Sequence, residues 1–569
     1  SDPLSPENKL IFAAGTLTGH KLIGTGRISV GSKSPLTGGF GESEASGYWG
    51  PQLRRAGYDG LIIEGASRDP VCLVIDNESV EILDASKIWG AEIRETTDWI
   101  RRNSDEEKSS VAAIGPAGEQ KVRFANIMVD YSHAFGRGGM GAIMGSKRLK
   151  GIAVRGDTPP PPARPERLSE LNKIMLGRYK NSPFAKYGTG SAMKKYEAVG
   201  NLPIRNHSGG RFPAVEKIDA IALLKEYGAG METCFNCPIR CKKKIKNEEG
   251  PWAVDSCYGG PEYETLASFG SNLLIDDLQA VCKAHEMCNR LGLDTISTGG
   301  TIAFAMECFE NGILTTKETG GTRLNFGNAE AMLEMIDKIA YRQGIGDVLA
   351  NGSKGAAETI GKGSERFAMQ VKGLEIPYHE PRYKPGLGLH YSIHATGADH
   401  CTGVMDDRLE AMLEEWESLN IGELIPPSEL SPRKVRMVYE LGPLREMPNS
   451  IGLCIFVPWN FREIRSAVSA VTGWEVTSSK LIKAVERGIT LMRIFNLREG
   501  FTREQDRLPD RFHTSPPEGP LEGVTIEAHA LQGAQGLYYQ MMGWNPDGVP
   551  TQGCLVALDL EWAIPHLKE

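Results

Sequence analysis

The chain has 569 residues, which at roughly 150 residues per domain points to three or four domains, or to two with large cores. Hydrophobic residues make up 40% and charged residues 24%, usage that excludes a disordered chain, and no run of about eighteen apolar residues is present to span a membrane. Lys plus Arg is 64 against 72 Asp plus Glu, and the net charge of −8 has the wrong sign for a phosphate-backbone partner, so nucleic acid is not expected.

No basic segment followed by an apolar one opens the sequence, so nothing marks a secretory signal and the expected location is cytoplasmic. From Lys9 to Gly156, KLIFAAG, DGLIIEG, VCLVIDNESVEILD, SVAAIG, KVRFANIMV and KGIAVRG read as strands, with a hairpin turn at Asp76-Asn77. Two glycine-rich connections, GTGRISVGSKSPLTGGFGESEASGYWG and HAFGRGGMGAIMGSK, are too polar for core and read as ligand loops. The proline run from Thr158 to Pro165 stiffens as polyproline and marks a boundary. Beyond it the period is helical: Leu278, Val281, Cys282, His285 and Leu291 follow an Asp276-Asp277 start and stop at Gly292. Leu409 to Leu419 and Ser479 to Asn496 read the same way. The fold class is therefore α+β. A β-rich domain over 1–157 precedes two mainly α-helical domains over 166–369 and 370–569, the second boundary resting on length alone.

Cys234, Cys237 and Cys241 form a C-x2-C-x3-C run that can hold three corners of an iron–sulfur cube, a fourth ligand coming from elsewhere. Zinc is the competing reading, but the second C-x2-C pair or the closely spaced histidines it commonly uses are missing. Cys454 is one candidate for the fourth corner; Cys257, Cys282, Cys288, Cys308 and Cys401 compete, and isolated cysteines are more often small buried hydrophobes. Asn289 to Asp294 and Asn449 to Cys454 share the form N-x-x-G-L-[D/C]. Singly, each is an ordinary helix end followed by leucine; together, with a cysteine closing one of them, they suggest two similar groups to be held.

The segments KSPLTG, GYWGPQLRRAGYDGLIIEG, AIGPAGE, GRGGMGAIMGSKRLK, CFNCPIRC, GPEYETLASFG, LGLDTISTGGTIAFAMECFENG and IGLC, in this order, resemble the aldehyde ferredoxin oxidoreductase family over nearly the whole length. The resemblance implies a β-rich base under a tungsten or molybdenum bis-pyranopterin, two helical domains and a [4Fe–4S] cluster. In the family pattern a further glycine-rich turn precedes the stretch that opens at Ser1, so the chain reads as truncated or as an unusual member.

Carried over by resemblance, Cys234, Cys237, Cys241 and Cys454 ligate the cluster, and Arg27 lies between cofactor and cluster. Glu44, Ser46, His133, Ala134, Gly136 and Arg137 match pterin and phosphate contacts, with magnesium bridging the phosphates; Asn289, Asp294, Asn449 and Leu453 match the motifs that hold the two pterins. Both of those motifs more usually begin with aspartate, and a neutral residue is more familiar at Glu44, where a carboxylate near an anionic cofactor is costly unless protonated or paired.

Bare, Glu264 reads as part of a helix face and His400 as a satisfied core histidine; the resemblance implies a general base and a proton donor or carbonyl polariser. Lys283 and Glu286 stand where some members carry an E-x-x-H iron bridge, so a homodimer without bridging iron, packed through apolar contacts, is expected. The implied reaction oxidises aldehydes to carboxylic acids, with ferredoxin or an iron–sulfur partner subunit taking the electrons. Arg240, Lys242, Lys243, Lys244 and Lys246 offer either a docking patch for an acidic carrier or a solvated turn. Two alternatives are carried: the same cofactor reducing an activated acid or another low-potential substrate, and a zinc-stabilised scaffold without catalysis.

Overall fold

A computed structural model describes residues 1–104, 108–179, 183–407 and 425–567. The first part is β-rich, as the glycine-punctuated apolar stretches imply. Strands β1 (Leu10–Ala14), β2 (Ile28–Lys33), β3 (Phe40–Ala45) and β4 (Gly60–Ile63) form an antiparallel sheet in the order β3-β2-β1-β4. Alternation places Ile28, Val30 and Ser32 of β2, and Gly41, Ser43 and Ala45 of β3, on the buried face. Glu42 and Glu44 therefore share the opposite face, with Ser29 opposite Glu44.

A second sheet has β5 (Val71–Asp76), β6 (Ser79–Asp84), β7 (Ser110–Ala113), β8 (Ile127–Val129), β9 (His133–Phe135) and β10 (Leu149–Arg155) in the order β6-β5-β10-β7-β8-β9. The β5–β6 hairpin turns through Asn77, which sits at φ +50°, as expected to within a residue. The two expected ligand loops are only partly loops. The first contains β2 and β3 and runs into the start of the helix Trp49–Arg55; the second contains β9 and the helix Met140–Ser146. KVRFANIMV is a strand only over its last three residues.

After the prolines, the helix Pro165–Tyr179 opens the helical part. The helix Leu278–Leu291 starts on Asp277, whose side chain accepts from Ala280 N–H, and stops at Gly292, and Ser478–Arg498 is helical throughout. The expected helix from Leu409 to Leu419 lies outside the described residues. One apolar core joins residues between Met193 and Tyr378 to Leu36, Val122 and Phe124 of the first part; another joins Leu17, Leu22, Leu168, Leu171 and Met175 to residues from Met369 onward. No helix among the described residues is long and apolar enough to cross a membrane.

The helix Pro432–Ile451 ends at Gly452 as Leu278–Leu291 ends at Gly292, both glycines in the left-handed region (φ +77° and +81°). Each packs on a glycine of the first part, Gly452 on Gly15 and Gly292 on Gly115, where a side chain would strike the backbone. These contacts fix both helix ends over the sheets and enclose the space between them.

Candidate active site

Strands β11 (Gly228–Glu232) and β12 (Lys242–Ile245) pair antiparallel, and the loop between them carries Cys234, Cys237 and Cys241. Asn236 and Arg240 bend it through left-handed conformations, and Cys237 N–H donates to Cys234 C=O at 3.2 Å. Cys454 arrives from the end of Pro432–Ile451, its N–H donating to Gly24 C=O at 2.8 Å. All four cysteines line one small pocket of about 30 Å³. Cys282, Cys288 and Cys308 are buried in the helical core, Cys257 is partly buried elsewhere, and Cys401 faces the larger cavity described next. Burial pushes the Cys237 thiol up to about 12 and raises Cys234 and Cys241 as well, with the neighbouring cysteine charges adding to the shifts. The three thiols of this loop become thiolates only with positive charge among them, which suits a metal cluster.

Cys234, Cys241 and Cys454 also form one wall of a cavity of about 410 Å³. Arg27, Glu44, Ser46, His133 and Ala134 supply the floor from the two sheets; Glu264, His379 and His400 stand on the helical side. Glu264 lies in the first turn of the helix Tyr263–Phe269, and its Oε2 accepts from Tyr378 N–H at 2.8 Å. Its Oε1 has no hydrogen-bond partner and lies 3.5 Å from His400 Nε2 and 3.6 Å from His379 Nε2. Burial alone would lower the basicity of His400, but Cys401, Glu264 and Asp399 outweigh it and raise its pKa to about 10, so it is held as imidazolium. Cys401 Sγ is 3.6 Å from the same Nε2.

Arg27 donates to Asn449 Oδ1 at 3.2 Å and leaves its Nε buried without a partner; Glu44 Oε1 is likewise unpartnered. Burial raises the Glu44 carboxyl to about 8 against the opposing pull of Arg27, as expected for a carboxylate at this position. His133 is kept neutral by burial and by the charge of Lys242. These unpaired polar atoms face one space, so the residues fit an extended polar cofactor.

Six expected contacts do not line the cavity. Arg137 spends its guanidinium on Ala398 C=O (2.7 Å), Glu375 C=O (2.6 Å) and Asp294, and its N–H donates to Ser43 Oγ; Gly136 precedes it. Asp294 caps the helix Thr295–Glu310 by accepting from Ile296 N–H at 2.9 Å. Asn289 donates to Tyr258 C=O at 3.0 Å, Asn449 accepts from Arg27, and Leu453 is buried in the second core. Lys283 pairs with Glu286 at 2.7 Å, and Glu286 also meets Arg290.

The basic run, open between a docking patch and a solvated turn, is mostly paired in the structure. Lys243 is fully buried and pairs with Glu262 at 2.9 Å, because the alternation of β12 turns it inward; Lys242 reaches Ser132 C=O on the cavity side. Lys244 and Lys246 pair with Glu232 and Glu248, and Arg240 donates to Met231 C=O. The run is a paired hairpin edge with little free positive charge. Sequence reasoning also passed over His379, whose partner Glu264 is distant in the chain and whose neighbours PYHEPRY form no recognisable spacing. It treated Cys401 only as a competitor for the cluster.

Residues 1–156 match the family model described as aldehyde ferredoxin oxidoreductase, N-terminal domain, and residues 169–560 match that for domains 2 and 3. The chain belongs to the aldehyde ferredoxin oxidoreductase family. It is 39% identical over 557 residues to a tungsten-containing aldehyde ferredoxin oxidoreductase of Pyrococcus furiosus, covering 96% of this chain and 89% of that protein. It is 30% identical to an aliphatic sulfonate oxidoreductase, WOR-like subunit, of the same organism, covering 100% and 90%. Among solved structures, the active-site complex BamBC of benzoyl-coenzyme A reductase with 1,5-dienoyl-CoA superposes with a TM-score of 0.81 at 29% identity, covering 99% of this chain and 90% of that one. This aldehyde ferredoxin oxidoreductase family member is thus an oxidoreductase with the expected α+β fold, and the scaffold reading is set aside.

Proposed function

We propose that the chain oxidises aldehydes to carboxylic acids at a tungsten or molybdenum bis-pyranopterin and passes electrons through a [4Fe–4S] cluster to ferredoxin or an iron–sulfur partner subunit. The observation that carries this reading is one cavity lined both by Glu264, whose Oε1 has no hydrogen-bond partner beside His400, and by Cys234, Cys241 and Cys454 of the small pocket. The tungsten-containing relative at 39% identity supports the choice of substrate and metal.

In this reading Cys234, Cys237, Cys241 and Cys454 hold the cluster. Arg27 Nε, Ser46, His133 and the backbone at Ala134 meet the pterins, Glu44 is protonated or neutralised by magnesium at the phosphates, and Gly136, Arg137, Asn289, Asp294, Asn449 and Leu453 act by fixing the chain around them. Bound there, the cofactors supply a two-electron metal couple and a one-electron outlet. The balance is RCHO + H₂O → RCOOH + 2 e⁻ + 2 H⁺. Glu264 takes a proton from the attacking water through Oε1, because Oε2 is fixed by Tyr378 N–H. His400, protonated and 3.5 Å away, donates toward the carbonyl oxygen. The rings of Tyr196, Tyr263 and His379 pack together on this wall and exclude water. Two copies associate through apolar packing without a bridging iron.

Glu264→Gln is expected to lower kcat by about 100-fold or more, the usual share of a general base, with cluster absorbance unchanged; full retention of aldehyde oxidation overturns the assignment. The raised His400 value places the alkaline limb of kcat/KM near pH 10, and His400→Gln removes that limb. Because the folded value lies above the ordinary 6.5, this histidine's stabilisation is complete below pH 6.5 and is lost as pH rises through about 10, which thermal melts across that range measure.

Reduction of an activated acid is a second reading, favoured by the likeness to the benzoyl-coenzyme A reductase complex. Turnover of an acyl thioester with a low-potential donor, and none of aldehydes with ferredoxin, decides for it.

A further inference from the structure

A second buried cluster of ligating groups lies behind the Glu44 side of the cavity. Glu42 of β3, His394 after the helix Pro385–Ile393, and Glu446 of Pro432–Ile451 each place a donor atom within 4.8 Å of the other two. His394 has a side chain only 6% exposed. Its Nδ1 is fixed at 2.8 Å from Thr396 Oγ1, while its Nε2 has no hydrogen-bond partner and lies 3.7 Å from Glu446 Oε2. Among the described residues, neither Glu42 nor Glu446 forms an ion pair with lysine or arginine.

Two carboxylates packed this way repel each other. Burial, and then the charges of Glu446, Glu44 and Asp399, push the Glu42 carboxyl well above the usual carboxylate range. Either a shared proton or a cation relieves the repulsion, and the unpartnered imidazole nitrogen aimed at the pair is the feature a shared proton leaves unexplained. Glu42 and Glu446 also line a separate cavity of about 460 Å³ with Ser450, Phe495 and Arg498, which offers an entry path and room for coordinated water.

We propose that Glu42, His394 and Glu446 bind a divalent first-row metal cation, of the class Mn²⁺, Fe²⁺ or Zn²⁺. Two carboxylates match its charge, and the imidazole favours this class over Mg²⁺ and Ca²⁺, which prefer oxygen donors throughout. The site joins the first domain to two helical elements, so binding stabilises their docking. It stands on different residues from the catalytic cavity and does not depend on the redox reading.

The test uses the full-length purified holoenzyme, treated with EDTA, freed of chelator and titrated with Mn²⁺ while the free-ion EPR signal is counted. One Mn²⁺ per chain, displaced by Zn²⁺, is expected. Loss of a direct ligand in Glu446→Gln or His394→Gln should weaken binding by more than about 100-fold, beyond the usual effect of an outer-shell change, with the cluster spectrum intact. Glu42→Gln, at the cavity wall, gives the same outcome where either of those variants fails to fold. No Mn²⁺ bound by the wild-type protein, or wild-type binding in the variants, as for an ion held by cofactor phosphates, overturns the proposal.

Discussion

The helix Leu278–Leu291 runs out through Asn289-Arg290-Leu291-Gly292-Leu293-Asp294, and the helix Pro432–Ile451 through Asn449-Ser450-Ile451-Gly452-Leu453-Cys454. The two ends share a left-handed glycine, a buried leucine and a glycine of the first domain packed against them. They differ in what the polar residues do. Asn289 donates to Tyr258 C=O, whereas Asn449 accepts from Arg27; Asp294 caps the next helix, whereas Cys454 enters the cysteine pocket. The shared backbone fixes a place, and the last side chain decides whether the place is structural or chemical.

The comparison is broken most sharply at its sixth position. Cys454→Ala should lower the iron content and abolish ferredoxin reduction, while Asp294→Ala retains full iron by metal analysis. Next comes aspartate at the two asparagines. Asn289→Asp removes a buried donor and leaves Tyr258 C=O with only His285 Nε2, 3.2 Å away, facing a new carboxylate oxygen, a loss of about 1–3 kcal/mol in denaturant unfolding. Asn449→Asp keeps its acceptor, now charged and facing Arg27, and should leave stability unchanged or raised. Alanine at either glycine costs about 1–2 kcal/mol for the left-handed backbone. Gly452→Ala should show the larger fall in Tm, since its Cβ would collide with Thr18 Oγ1, whereas at Gly292 the nearest atom, Gly115 N, is 2.9 Å away. Asp294→Ala should cost more than the about 1 kcal/mol of a lost helix cap, because Arg137 loses its buried carboxylate partner as well.

The two ends also show how far the sequence could be read. The matching N-x-x-G-L pattern and the cysteine closing one copy were legible, and the fold brings Cys454 to the C-x2-C-x3-C loop. Read singly, the pattern is a helix end, and the structure gives it that form; the sequence could not show that Asp294 also caps the next helix and meets Arg137. Strands β2 and β3 were missed because Gly31 and Gly41 interrupt an otherwise clear two-residue period. The lysine run stayed undecided because charge alone does not say which side of a strand faces inward, and Lys243 has its partner in Glu262, on a different element. His379 became visible only through three-dimensional proximity to Glu264.

The Lys243–Glu262 pair has a wider meaning. Lys243 follows Cys241 by two residues, and Glu262 precedes Glu264 by two, heading the same short helix. Thr189 reinforces the link: its hydroxyl meets Glu262 and its carbonyl accepts from Lys243 at 3.1 Å. The strip of chain that bears the three cysteines and the strip that bears Glu264 are thereby riveted at one point. Neither can drift without dragging the other, so the separation between the cysteine loop and Glu264 is tied to the Lys243–Glu262–Thr189 contact.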